Sequence, residues 1–163
     1  MVQVRIATER DLGQLDALFA KSYPRLLAAD YPPSVLVTAI PLIARANPSL
    51  VASGTFFVAE IEDRIVGAGG WTPRGPMGEA AESVAHARHF VADPDHVRRG
   101  IASTILTTCI EGAVDAGFRG MACYATRTAV PFYAANGFAV KGEVEIDLRP
   151  GIKFPAVAMV RKL

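Results

Sequence analysis

FVADPDHVRRGIASTILTTCIEGAVDAGF, residues 90–118, is the stretch on which the fold turns. It reads as the end of a buried strand, a tight turn at Asp93-Pro94-Asp95, a short basic loop with one glycine, and a helix. Ile101, Ile105, Cys109 and Ala113 recur every four positions, while Thr104, Thr107, Thr108, Glu111 and Asp115 fall on the opposite side. That is a helix with one apolar and one wet face. Gly117 supplies a left-handed stop, with apolar Phe118 just after it. A helix opening at Arg98-Arg99-Gly100 turns unpaired backbone N–H groups and the positive end of its dipole toward the loop, and two arginines add charge there. Such a loop suits an anion. Gly100 and small Ala102 would let a diphosphate approach the backbone. The loop lacks the lysine and flanking glycines of a nucleotide P-loop and is not a G-x-G-x-x-G turn. An ordinary capped helix with two solvated arginines has the same local signature.

Working outward, residues 121–125 form a short apolar strand after the helix, which makes a parallel crossover with residues 80–92. In that upstream strand His86 and Arg88 share one face and strict alternation puts His89 on the other. Residues 55–61 and 64–71 are two strands joined by Glu62-Asp63 as a hairpin. Gly67, Gly69 and Gly70 would weaken the second of these unless a bulge or a close approach requires them. At the N-terminus, residues 2–6 alternate as a half-buried strand, Thr8 and Asp11 stand at capping-box distance, and Leu12, Leu15, Leu18 and Phe19 form the inner stripe of a helix. Residues 33–46 contain a second, apolar helical region. Residues 129–135 form a short helix, residues 138–148 a strand, and Arg149-Pro150-Gly151 turns the chain back into residues 154–160. The architecture expected is α+β, a mixed and mostly antiparallel sheet of about seven strands flanked by helices.

At 163 residues, 1–163 reads as a single domain with a sizeable core. The formal charge of +1, with acidic and basic residues interspersed, implies neither a nucleic-acid partner nor an anionic membrane surface. Residues 31–59 carry Arg45 as their one charge, but Pro32, Pro33, Pro41, Pro48 and Gly54 interrupt them well short of the ~18 apolar residues of a membrane span. Cys109 and Cys123 read as buried thiols in a reducing compartment, and no Cys/His spacing suggests a metal. Arg5, Glu9, Arg10 and Asp11 arrive too early for an apolar signal core, so the expected location is cytoplasmic.

The order strand, basic glycine loop, helix, strand, followed by AVPFYAANGF at residues 129–138, resembles the GCN5-related N-acetyltransferase (GNAT) superfamily. Two separated motifs carry the resemblance. DPDHVRRGIAS is similar to the family's acyl-CoA pyrophosphate loop, [QR]-x-x-G-x-[GA], and FYAANGF at residues 132–138 to its second signature. One position departs: Val97 stands where the family favours Gln or Arg.

The resemblance implies a splayed central pair of parallel strands, helices on both faces, and acetyl-CoA as acyl donor threaded between residues 87–92 and 121–125. The acetyl carbonyl and pantetheine amides would pair with backbone at Phe90, Val91 and Ala92. The pyrophosphate would sit on Arg98, Arg99, Gly100, Ile101, Ala102 and Ser103. Tyr133 would protonate the departing thiolate, the Val91 N–H would polarise the carbonyl, and His86 would relay the amine proton, with Glu79, Glu82 or water as other bases. Thr126 and Thr128 can cap the short helix or touch pantetheine. The acceptor pocket would be built by residues 23–43, 69–72 and 150–154, with Tyr31, Trp71 and Phe154 as an apolar wall that disfavours a polycation. The expected activity is acetyl transfer to a small primary amine; an acyl-CoA sensor without turnover, or acetylation of a peptide amine, are the other readings. Many relatives dimerise, so a homodimer belongs among the expectations.

Overall fold

Alternation of apolar residues along the chain produces seven strands that hydrogen-bond into one sheet. The computed structural model describes residues 1–96 and 100–163. In chain order the elements are β1 (Gln3–Ile6), α1 (Leu12–Leu27), α2 (Pro33–Ile43), the one-turn α3 (Pro48–Val51), β2 (Phe56–Ile61), β3 (Arg64–Thr72), β4 (Val84–Ala92), α4 (Ile101–Asp115), β5 (Gly120–Ala125), α5 (Val130–Ala135), β6 (Ala139–Arg149) and β7 (Ile152–Lys162). The sheet order is β1-β2-β3-β4-β5-β7-β6. Among the described residues only β4 and β5 run parallel, as the strand-helix-strand reading requires.

Each face of the sheet has its own core. On one face Leu15, Leu18 and Phe19 of α1 pack with Phe56, Val58, Ala68 and Val91. On the other, Ile101, Ile105, Leu106 and Cys109 of α4 pack with Met121, Cys123, Met159 and Tyr133. Both cysteines are buried and unpaired. The predicted stop of α4 forms at Gly117, whose φ is 93°, and Phe118 N–H donates to the Ala113 carbonyl. The Thr8 N–H donates to the Asp11 carboxylate at 2.8 Å, and Arg5 pairs with the same carboxylate, tying β1 to the start of α1.

The glycines of β3 answer to close approach. A Cβ at Gly67 would lie 2.6 Å from Ile101 Cγ2, one at Gly69 2.5 Å from the Phe90 ring, and one at Gly70 2.6 Å from the Thr55 carbonyl. The β3–β4 register also shifts between Ala68 and Gly70.

Two readings of β4 need correction. The strand begins at Val84 instead of residue 80, because Ser83 adopts φ 63° and an isolated bridge joins Ala81 to Val84. His89 adopts φ 53°, so β4 bulges there and the alternation slips by one residue. His89 therefore stacks on Phe19 of α1, with ring centroids 5.6 Å apart, on the same face as His86 and Arg88.

Candidate active site

The site grows from the way β4 and β5 part. They pair at Val84, Ala85 and His86, opposite Gly120, Met121 and Ala122, and no further. Beyond His86, β4 stays with β3 and β5 stays with β7, so the two strands diverge. The gap is a cleft of about 750 Å³ whose walls are residues 87–92 of β4, Tyr124 and Ala125 of β5, the start of α4, and α5. The β4 edge that faces it, including Phe90, Val91 and Ala92, has no strand partner on that side among the described residues. An extended ligand with amide groups could complete it.

At the wide end stands Gly100, in the left-handed region at φ 70°, capping α4. A side chain there would be strained, and its Cβ would point into open space with nothing within 4 Å. Thr104 N–H donates to the Gly100 carbonyl, and the N–H groups of Ile101, Ala102 and Ser103 in the first turn have no acceptor among the described residues. The Ile101 side chain is buried under β3, so its contribution to the cleft is its backbone. Arg98 and Arg99, the predicted cationic partners, lie outside the described residues. The preceding turn is held firmly: Lys21 of α1 bridges Asp93 at 2.9 Å and Asp95 at 2.7 Å, and Asp95 N–H donates to Asp93.

Tyr133 lines the cleft from α5, 5% exposed, with its ring against Phe90, Phe132 and Phe138. Its hydroxyl makes no hydrogen bond to any described residue. Burial pushes the phenol well above its ordinary value, so it stays protonated. Thr126 Oγ1 accepts from the Ala129 N–H as a cap, and Thr128 donates to Asp30; both also border the cleft.

On the α1 side, the cleft is walled by Tyr23, Leu26, Leu27, Ile43 and Phe154, with Arg88, His89 and Tyr124 as its polar groups. Of the three residues expected to form an apolar wall, Phe154 lines the cleft and Tyr31 and Trp71 do not. Trp71 lies on the opposite face of the sheet, against Phe118 and Gly112 of α4. Tyr31 is buried behind Phe154, with rings stacked at 4.7 Å, and its hydroxyl donates to the Pro155 carbonyl and accepts from Arg127 N–H.

His86 is not on the cleft wall. It is buried at the vertex, 6% exposed, its ring edge-on to Tyr124, and its Nδ1 has no partner among the described residues. Burial lowers its pKa, and Arg88 adds to that while Glu79 opposes it, so the ring is neutral near pH 7. Beside it Tyr124 donates to the Glu79 carboxylate, which also accepts from the Met77 N–H at 2.7 Å. Burial pushes Glu79 up, but those hydrogen bonds and His86 outweigh it and hold the carboxyl below its usual range. The Tyr124 phenol is pushed up to about 12, by burial first and then by Glu79. The role of Tyr124 was not legible beforehand, because a pairing across 45 residues leaves no periodic trace. Glu82 is exposed and takes no part in this group.

Residues 52–140, more than half of the chain, match the family model of the Acetyltransferase (GNAT) domain. The chain belongs to the GNAT acetyltransferase family. Solved GNAT structures share its fold. A GCN5-related N-acetyltransferase, aminotransferase class-II, from Rhodopseudomonas palustris aligns at TM-score 0.80 with 20% identity, over 99% of this chain and 95% of that one. The PaiA N-acetyltransferase of Thermoplasma acidophilum, solved in complex with coenzyme A, aligns at 0.75 with 17% identity, over 100% and 99%. An agmatine N-acetyltransferase aligns at 0.69 with 18% identity, over 99% of each chain. No curated protein matches the sequence itself. Both halves of the GNAT resemblance fall within the cleft walls: Gly100 to Ser103 at one end, Phe132 and Tyr133 on one side.

Proposed function

We propose that this chain is a single acyltransferase domain that moves the acetyl group of acetyl-CoA to the primary amine of a small molecule by direct attack on the thioester. The observation that carries this is the divergence of β4 and β5 after His86, with a β4 edge unpaired among the described residues running from the vertex toward the first-turn amides of α4. A cleft of this shape fits an extended, amide-bearing chain ending in a diphosphate. The PaiA enzyme of the same fold was solved with coenzyme A, which agrees with that fit.

Acetyl-CoA supplies the thioester carbonyl and the thiolate leaving group. The protein's part is to bind, to orient and to move protons. Backbone at Phe90 and Ala92 holds the amides of the donor. The Val91 N–H, opposite Ala68 in a hydrogen-bonded pair of the β3 ladder, is turned away from the cleft and is not the group that polarises the carbonyl oxygen. Amides of Gly100, Ile101, Ala102 and Ser103 hold the diphosphate, aided by Arg98 and Arg99. As the amine nitrogen bonds to the carbonyl carbon and the C–S bond breaks, Tyr133 gives a hydrogen bond or its proton to the sulfur. Its buried phenol is fully protonated beforehand, which suits a donor.

The amine proton leaves through water toward the Tyr124, Glu79 and His86 group. His86, sealed behind the wall, acts through these neighbours and not by touching the amine. The two buried, unpaired cysteines fit a reducing compartment such as the cytoplasm. A thiol-release assay with acetyl-CoA and a panel of primary amines tests the reading. Amine-dependent release with saturation in both substrates supports it; coenzyme A binding without turnover on any amine would make the protein a sensor instead.

A further inference from the structure

On the α1 side of the cleft one polar group lacks the partner its chemistry calls for. Arg88 is half-buried in the wall, and its Nη1 donates to Thr72 Oγ1 at 3.2 Å. That neutral hydroxyl is its one hydrogen-bond partner among the described residues, and no ion pair reaches it. Glu79, a nearby carboxylate, is committed to Tyr124 and to the Met77 N–H. A guanidinium drawn partly out of water, with most of its N–H donors unmatched, is costly unless an anion completes it. Burial lowers the Arg88 pKa, with Glu79 only partly opposing, which records the same deficit.

The other polar groups on this side carry no charge to compete. Burial and Arg88 push His89 down to about 4, so it is neutral. Tyr23, whose hydroxyl lies 3.4 Å from His89 Nδ1, is raised by burial and stays protonated. Around them stand Leu26, Leu27, Ile43 and Phe154. Among the described residues this side of the pocket thus offers one fixed positive charge, an apolar surround, and a carboxylate paired with Tyr124.

We infer that the acyl acceptor is a carboxylate-bearing primary amine with an apolar body, a free amino acid in its simplest form, whose carboxylate is taken by Arg88. The planar fork of the guanidinium matches a carboxylate with two parallel hydrogen bonds. The ammonium, before it loses its proton, is drawn toward the Tyr124 and Glu79 pair, and the side chain lies against the leucines and Phe154. A polyamine would meet Arg88 as a like charge. The inference rests on the acetyltransferase reading and specifies its substrate class.

The test compares matched pairs that differ only in the carboxylate: L-leucine with isopentylamine, L-phenylalanine with phenethylamine, and L-methionine with 3-(methylthio)propylamine, each with acetyl-CoA. A charge-assisted pair predicts that at least one acid is preferred by about tenfold to a hundredfold in kcat/KM. Arg88→Gln should bring that ratio close to one, and Arg88→Lys should restore part of it. Preference for the amine lacking a carboxylate, or a ratio unmoved by Arg88→Gln, overturns the inference while the acetyltransferase reading stands. Failure of every pair alongside normal coenzyme A binding also overturns it. Loss of coenzyme A binding by the wild-type protein would defeat both.

Discussion

Replacing Tyr133 by Phe should separate catalysis from stability, because the hydroxyl is placed for a ligand and not for the fold. The Tyr133 ring packs against three aromatic neighbours with centroids between 5.0 and 6.2 Å, and all of those contacts survive in phenylalanine. What is lost is a desolvated O–H without a protein partner among the described residues. Burying a hydroxyl unpaired costs about 1–3 kcal/mol, and partial access to the cleft recovers some of that. Deleting it should therefore leave stability unchanged or raise it by up to about 1 kcal/mol, a melting shift of about 0 to +4 °C for a domain of this size. Removing the donor to a leaving thiolate should lower kcat by about 10²–10⁴, with little change in coenzyme A affinity. Thermal denaturation by circular dichroism, thiol release and calorimetry read the three quantities. A lowered melting temperature with unchanged turnover would show that Tyr133 is a structural tyrosine and refute the reasoning.

Stability should also fall on acidification in a way that reports the β4 bulge. His89 is depressed to about 4, so the unfolded chain, with a reference of about 6.5, binds the proton first. The contribution is complete above about pH 6.5 and is lost as pH falls toward 4, about 3 kcal/mol in all; urea unfolding at stepped pH should show the slope, and His89→Asn should reduce it. Gly69→Val would drive a Cβ to within 2.5 Å of the Phe90 ring and displace it from beside Tyr133. An overpacking cost of about 1–3 kcal/mol and weakened coenzyme A binding should follow, measured by melting and calorimetry. Arg88→Gln should erase discrimination between an amino acid and its decarboxylated amine, as set out above.

Much of the fold was legible because its elements are periodic. The four-residue spacing from Ile101 to Ala113 and the stop at Gly117 define α4, and alternation defines the strands of the β2–β3 and β6–β7 hairpins. The close-approach reading of Gly67, Gly69 and Gly70 is met atom by atom. Where sequence reasoning missed, the cause is a local break or a distant partner. Ser83 and His89 are left-handed without being glycine, and a histidine inside an apolar run is too weak a signal to mark the late start of β4 or its bulge. That bulge alone moves His89 from the side first expected to the side of α1. Trp71 looked like pocket wall because its strand borders the site, but its register with Ala87 turns it toward α4. The Tyr124 and Glu79 pair depends on a loop folding back over the sheet, which composition does not encode.

The central claim is that a diphosphate-bearing donor enters between β4 and β5 and ends on the amides after Gly100. Calorimetric titration of coenzyme A into the wild-type protein and into Gly100→Val tests it most directly. Valine at φ 70° adds strain of about 1–2 kcal/mol to the turn that presents those amides and projects methyl groups into open space beside it, so circular dichroism must first show that the variant is folded. The account predicts one site per chain in the wild type and no measurable binding in the folded variant. Equal affinity in both proteins, or no heat in either, would contradict it.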